Sequence, residues 1–122
     1  MRVLVGTDII EISRVKKLID SKEKNALKSI FTLREIEYCE ARKVSKYQSY
    51  AARFAAKEAI YKALSDFVPK NYKFIDFEVV NNEKGKPEVC LGFEISGLES
   101  IEISLSHCKE YAVAYVSAII KE

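Results

Sequence analysis

Apolar and polar positions change period twice along the chain. From Val3 to Ile12 apolar residues fall on both faces of an extended segment, which predicts a strand buried on both sides. Asp8 interrupts it on the side shared by Leu4, Ile10 and Ile12. A carboxylate there needs a partner or a metal, because desolvating it alone is costly. Beyond this strand the period becomes helical. Ser13 is a candidate N-cap for a helix through Ile19, with Val15, Leu18 and Ile19 on one side and Arg14 and Lys17 near the other. A short helix follows, including Ala26, Leu27 and Ile30. Thr32 and Glu35 then have the spacing of a capping box, with Phe31 and Ile36 as its hydrophobic staple. The sequence therefore gives Glu35 a structural role at the start of a helix reaching about Arg42.

The dominant segment is a long helix over Tyr47–Ser65, ended before Pro69. At about 100° per residue, Ala56, Ala59, Ile60, Ala63 and Leu64 form its apolar stripe. Arg53 and Lys57 lie at the border of that stripe, and Glu58 and Lys62 share another face. The small alanines permit close approach of a neighbouring backbone, which would carry these charges into a packed cleft. After Tyr72 the period is that of strands. Phe74–Asn81 and Glu88–Phe93 flank a loop of Asn82-Glu83-Lys84-Gly85-Lys86-Pro87. Ile101–His107 and Tyr111–Ile119 form a second hairpin, with Ile101, Ile103, Leu105 and His107 on one face. The pattern predicts one α+β domain spanning residues 1–122, with helices packed on a mainly antiparallel sheet. There is no internal repeat, low-complexity tract or linker.

Composition narrows the classes. With 48% hydrophobic and 31% charged residues the chain is ordinary for a soluble globular protein. No apolar run approaches the ~20 residues of a membrane span, and strand-like sequence begins at once, so a cytoplasmic protein without a signal peptide is expected. Cys39, Cys90 and Cys108 are odd in number and widely spaced, which fits reduced, mostly buried thiols. The net charge of +2 conceals a basic stretch over residues 13–46, with ten Lys/Arg against five Asp/Glu. An acidic partner follows from that imbalance.

Asp8 and Glu58 are the candidates for a hard divalent cation. Mg²⁺ keeps several waters and takes one or two protein carboxylates plus substrate phosphates. Lys62, one turn from Glu58, would neutralise such a phosphate, and Arg53, His107 and the Gly85-Lys86 loop are further anion donors. His107 ends an apolar row beside Ser106, so a structural and a ligand-binding role both remain open for it. The set describes a site for a polyphosphorylated small molecule with neither a Walker sequence nor a Gly-x-Gly-x-x-Gly.

The blocks Gly6-x-Asp8-Ile9-x-x-Ile12-x-Arg14, Phe31-Thr32-x-x-Glu35, Arg53-Phe54-Ala55-Ala56-Lys57-Glu58-Ala59-x-x-Lys62-Ala63, Gly85-Lys86-Pro87 and Ser104-x-Ser106-His107 stand in that order, followed by Tyr111-Ala112-x-Ala114. Together they resemble the 4′-phosphopantetheinyl transferases of the short acyl-carrier-protein synthase type. The resemblance implies transfer of 4′-phosphopantetheine from coenzyme A to a serine of apo acyl carrier protein in support of fatty acid biosynthesis, releasing adenosine 3′,5′-bisphosphate. It also implies Mg²⁺ on Asp8 and Glu58, and coenzyme A contacts from Arg53, Lys62, Gly85, Lys86, Pro87, Ser106 and His107. A homotrimer with sites between subunits follows from it too. For the general base the sequence leaves two candidates, Glu58 or a metal-bound water positioned by it. The chain departs from the family in having Ser65-Asp66-Phe67 in place of a Gly-rich turn. It also has Cys108 where relatives often carry an acid, so no third carboxylate ligand is expected there.

Acyl carrier proteins are acidic, which makes Arg14 and Lys17, one turn apart, the expected docking residues for the carrier. Neither a membrane nor a nucleic acid is an expected partner. An RNA-binding module built on the basic stretch is the rival from another class, but that stretch has few aromatics placed for stacking and leaves Asp8 unexplained. A different Mg²⁺-dependent nucleotide enzyme is the second rival.

Overall fold

A computed structural model describes residues 1–21 and 24–122. The chain starts with β1 (Arg2–Glu11) and continues through α1 (Ile12–Asp20), α2 (Lys24–Ile30), α3 (Leu33–Ala41) and α4 (Lys46–Leu64). It then runs through β2 (Phe77–Asn81), β3 (Pro87–Leu91), β4 (Leu98–His107) and β5 (Tyr111–Ile120). Short 3-10 segments at Lys43–Ser45 and Phe74–Asp76 precede α4 and β2. The chain therefore has the expected helical part followed by a strand part, with β1 as an N-terminal outlier. The first and last strands pair: β5 lies between β1 and β4, antiparallel to both, and β2 and β3 form a separate hairpin.

The long helix α4 is the spine of the molecule. One side lies on the three-stranded sheet, where Ala56, Ala59, Ile60, Ala63 and Leu64 meet Leu4, Ala114, Val116 and Ala118. The expected close backbone approach occurs at Gly6. A Cβ added there would lie 2.1 Å from the carbonyl oxygen of Ala59 and 2.8 Å from the amide nitrogen of Ala63. Only a residue without a side chain lets β1 lie this close to α4. The upper part of α4 packs Tyr50, Ala51 and Ala52 against Ile12, Val15, Phe31 and Cys39 of the smaller helices. The β2–β3 hairpin covers the helix from another side through the fully buried Phe77 and Val79. Replacing Phe77 with Ala should cost about 3–5 kcal/mol.

Several sequence expectations shift. The first helix begins at Ile12 after Glu11, so Ser13 lies inside it and caps nothing, while β1 already delivers the chain in extended geometry at Glu11. The capping box of Thr32 and Glu35 is present. Phe74–Asp76 is a 3-10 turn, because Asp76 accepts from the Lys73 amide and closes the chain there. Of the three free cysteines only Cys39 is buried, and burial raises its thiol to about 12. Finally, β1 is covered on one face only. α4 takes the face of Leu4, but among the described residues no layer covers Val3, Val5 and Ile9, which are 59%, 56% and 62% exposed. Among the described residues no helix is long and apolar enough to cross a membrane.

Candidate active site

The residues singled out by the sequence gather in two groups, on different sides of α4. The first lies where α4 meets β1. Lys62 donates to Asp8 Oδ1 at 3.1 Å and to the carbonyl of Thr7 at 3.0 Å. Glu58, one turn earlier on the same helix face, is close enough to Asp8 to feel its charge. Burial first, and Asp8 second, hold the Glu58 carboxyl above its ordinary value, while Lys62 pulls the other way. Two neighbouring carboxylates, one of them holding the Lys62 ammonium, are a suitable environment for a hard cation. The tight seat of Gly6 sets this geometry, since Asp8 lies two residues further along β1.

The second group lines a cleft of about 350 Å³ between α4, the β2–β3 loop and β4. Arg42, Arg53, Lys86 and His107 bring positive or proton-donating groups to its wall, with Asn81, Pro87 and Ser104 beside them. Among the described residues no carboxylate lines it. Such a cleft suits an anion. Arg53 is buried, with its guanidinium carbon 4.1 Å from the centroid of Tyr38 and an amino nitrogen donating to Asn81 Oδ1. Its Nε is buried and has no hydrogen-bond partner among the described residues. Gly85 and Ser106 do not line the cleft. Gly85 acts through its backbone: a φ of +84° turns the loop, and its carbonyl accepts from Asn81 Nδ2 at 2.9 Å.

Asp8, Glu58 and Lys62 are absent from the cleft wall. Arg53 and Glu58 lie five residues apart on α4, about 140° around the helix axis. One chain therefore presents two separate groups, whereas the residues taken from the sequence describe a single site.

Arg14 and Lys17 are both exposed on α1, whose other side buries Ile12 and Val15. Of the basic segment 14–28, Lys22 and Glu23 lie outside the described residues. The turn that replaces a Gly-rich sequence after α4 stays right-handed at Ser65 and is tied down by Arg2, 3.7 Å from Asp66 and 6.0 Å from the Phe67 ring centroid.

One pair escaped the sequence reading. Lys57, expected at the border of the apolar stripe, is completely buried. Its ammonium donates to Glu35 Oε1 at 2.7 Å, to the Phe77 carbonyl at 2.8 Å and to the Phe74 carbonyl at 3.3 Å. Glu35, read as a cap, is buried with it. Burial is the largest influence on the Lys57 ammonium and pulls its pKa down, while Glu35 opposes this. Removing one member of such a pair typically costs about 3–5 kcal/mol.

Residues 4–116 match the model of the 4′-phosphopantetheinyl transferase superfamily. The chain belongs to this superfamily. The transferase is 49% identical over 121 residues to a holo-[acyl-carrier-protein] synthase of Ruminiclostridium cellulolyticum, covering 94% of this chain and 90% of the relative. Among solved structures, its fold is similar to a holo-(acyl-carrier-protein) synthase of Bacillus anthracis in complex with CoA (3′,5′-ADP). That match has a TM-score of 0.78 and 35% identity over 94% of each chain. A Helicobacter pylori holo-[acyl-carrier-protein] synthase in complex with coenzyme A matches with a TM-score of 0.82 and 29% identity, over 95% of this transferase and all of that chain.

Proposed function

We infer that this transferase is a holo-acyl-carrier-protein synthase. It moves 4′-phosphopantetheine from coenzyme A to a serine of apo acyl carrier protein and releases adenosine 3′,5′-bisphosphate, in the service of fatty acid biosynthesis. The observation that carries this reading is the Asp8–Glu58–Lys62 group held between β1 and α4 in a member of this superfamily.

Asp8 and Glu58 would hold Mg²⁺, which when bound neutralises diphosphate charge and acts as a Lewis acid on the phosphoryl oxygens. Two carboxylates and no soft ligand fit that ion. Lys62 stabilises the charge that grows as the carrier serine attacks the β-phosphate of coenzyme A. Its ammonium has three donors, and the Thr7 carbonyl and Asp8 use two of them, which leaves one for a phosphate oxygen. The serine proton leaves to Glu58, directly or through one water. The cleft of Arg53, Lys86, Pro87 and His107 takes the nucleotide half of coenzyme A, with the Gly85 turn shaping its loop and Ser106 at its margin.

The protein works as a homotrimer of single-domain subunits. Two observations support this assembly: the open sheet face of Val3, Val5, Ile9, Tyr111 and Tyr115, and the separation of the two half-sites on one chain. Packing copies through that face would bring the cleft of one subunit to the Asp8 group of the next. The deciding assay incubates the protein with coenzyme A, Mg²⁺ and apo carrier protein and follows the carrier's mass. Addition of one phosphopantetheine is the expected outcome, and an unchanged mass with well-folded carrier would overturn the reading.

A further inference from the structure

Three ties fasten β2 to the helices, and they fall on alternate residues. Lys57 of α4 donates to the carbonyl of Phe77, at the start of the strand. Glu35 of α3 accepts from the amide of Val79, in its middle, at 3.0 Å. Arg53 of α4 donates to the side chain of Asn81, at its end. Among the described residues β2 has a strand partner only in β3, so the Glu35 carboxylate stands where a further strand would otherwise pair. The same carboxylate accepts from Lys57 and from the Thr32 amide. The two helices that hold β2 are thereby locked to each other through one buried ion pair.

This strand carries part of the cleft. Asn81 ends it, holds the Gly85 carbonyl and lines the cleft wall, and the loop that follows ends at Lys86, with Pro87 opening β3. A shift of β2 along α4 would move Asn81, Lys86 and Pro87 together, away from Arg53 and His107. The Asp8–Glu58–Lys62 group would stay in place, because it rests on β1 and not on β2.

We propose that the buried Glu35–Lys57 pair is a positioning device for the coenzyme A cleft, setting β2 and its loop in register with Arg53. Neither residue lines the cleft. The proposal rests on the assignment of this cleft to coenzyme A. It assigns the pair a role in substrate affinity that is separable from its role in stability. A displacement of about 1 Å at such a wall can cost up to about a hundredfold.

The test uses the intact enzyme with two substitutions. Glu35→Gln offers one acceptor oxygen where the carboxylate offered two, so it cannot serve Lys57, Thr32 and Val79 together. Glu35→Asp keeps the negative charge beside Lys57, and hence the fold, but is one methylene short of the Val79 amide. Both variants should raise KM for coenzyme A about tenfold. Both should leave kcat and KM for the carrier protein within about twofold, since those depend on the undisturbed half-site. A purely structural pair predicts the opposite. KM for coenzyme A would stay constant while total activity fell with the folded fraction, measured in parallel by thermal unfolding, and that result would overturn the proposal. Arg53→Ala is the control for the cleft itself. If it raises KM for coenzyme A and neither Glu35 variant does, the positioning role alone is wrong. If none of the three does, the cleft does not take coenzyme A and the positioning role falls with it.

Discussion

At the scale of single residues, a charge is read by the company it keeps. Asp8 stood out in the sequence because a carboxylate inside an apolar strand needs a partner, and Lys62 proves to be one. Asp8→Ala or Glu58→Ala should leave the fold intact and lower turnover by about a hundredfold or more. Circular dichroism and the mass assay check both halves of that statement. Lys62→Ala should reduce kcat much more than it raises KM for coenzyme A, because the charge it meets grows only in the transition state. Glu58 also opposes folding. Its raised carboxyl gives a penalty that is absent below the ordinary value of 4.5 and grows as pH rises through the raised one. Glu58→Gln should therefore stabilise the protein in chelator at neutral pH, seen as a higher urea midpoint, while activity is lost. Glu78 has the reverse sign. Hydrogen bonds from Arg34 first, and also from Thr32, hold it below 4.5, so its contribution exists above 4.5 and vanishes as pH falls through the lower folded value. Arg34→Ala should accordingly lower the urea midpoint at neutral pH and leave it unchanged in strong acid. Glu35 was legible as a cap but not as an ion-pair partner, and Lys57 was illegible in its role. A helical wheel ranks residues by polarity, so a buried lysine looks like a surface lysine until its counter-charge, 22 positions away, is placed beside it.

Elements were more legible than their partners. Local signals are enough for a helix start such as Thr32-x-x-Glu35 or for the long alanine-rich helix, because hydrogen bonds within a few residues decide them. The start of α1 was misplaced at Ser13 because the preceding strand, not a side-chain cap, sets where that helix begins. Gly6 joins two elements. Gly6→Ala would place a methyl 2.1 Å from the Ala59 carbonyl, which neither backbone can tolerate without moving. The outcome should be loss of stability together with a fall in kcat, as β1 shifts and carries Asp8 off Lys62. On α1, Arg14 and Lys17 point outward while Ile12 and Val15 point in, so a charge reversal there leaves the core untouched. Arg14→Glu and Lys17→Glu should raise KM for apo carrier protein several-fold at low salt and less at high salt, given a Debye length of about 8 Å at physiological ionic strength. An unchanged KM in both variants would remove α1 as the docking surface.

At the scale of the whole molecule, the sequence alone misjudged β1. Its apolar residues on both faces were read as burial on both faces, but the described residues of one chain cover only one. Periodicity reports which residues avoid water and is silent on whether their own chain or a second copy does the covering. The open face runs across paired strands: Thr7 sits opposite Tyr115, Ile9 opposite Val113 and Glu11 opposite Tyr111. Tyr111 and Tyr115, 43% and 47% exposed, add aromatic area to this open face. If copies close a ring through this face, each active site joins Asp8, Glu58 and Lys62 of one subunit to Arg53, Lys86 and His107 of its neighbour. Mixing two inactive proteins tests that directly. Glu58→Ala disables one half-site, and Arg53→Ala combined with His107→Ala disables the other when coenzyme A is kept low. Unfolded together in equal amounts and refolded, they should form rings in which about one site in four receives an intact half from each parent, since each half is drawn independently. Activity should then recover to about a quarter of the wild type, from two parents that each have almost none. A site contained within one subunit gives no such recovery, because every copy then carries one broken half. Tyr115→Glu, which sets a charge on the shared face, should abolish the recovery and reduce the mass measured by light scattering to that of a single chain.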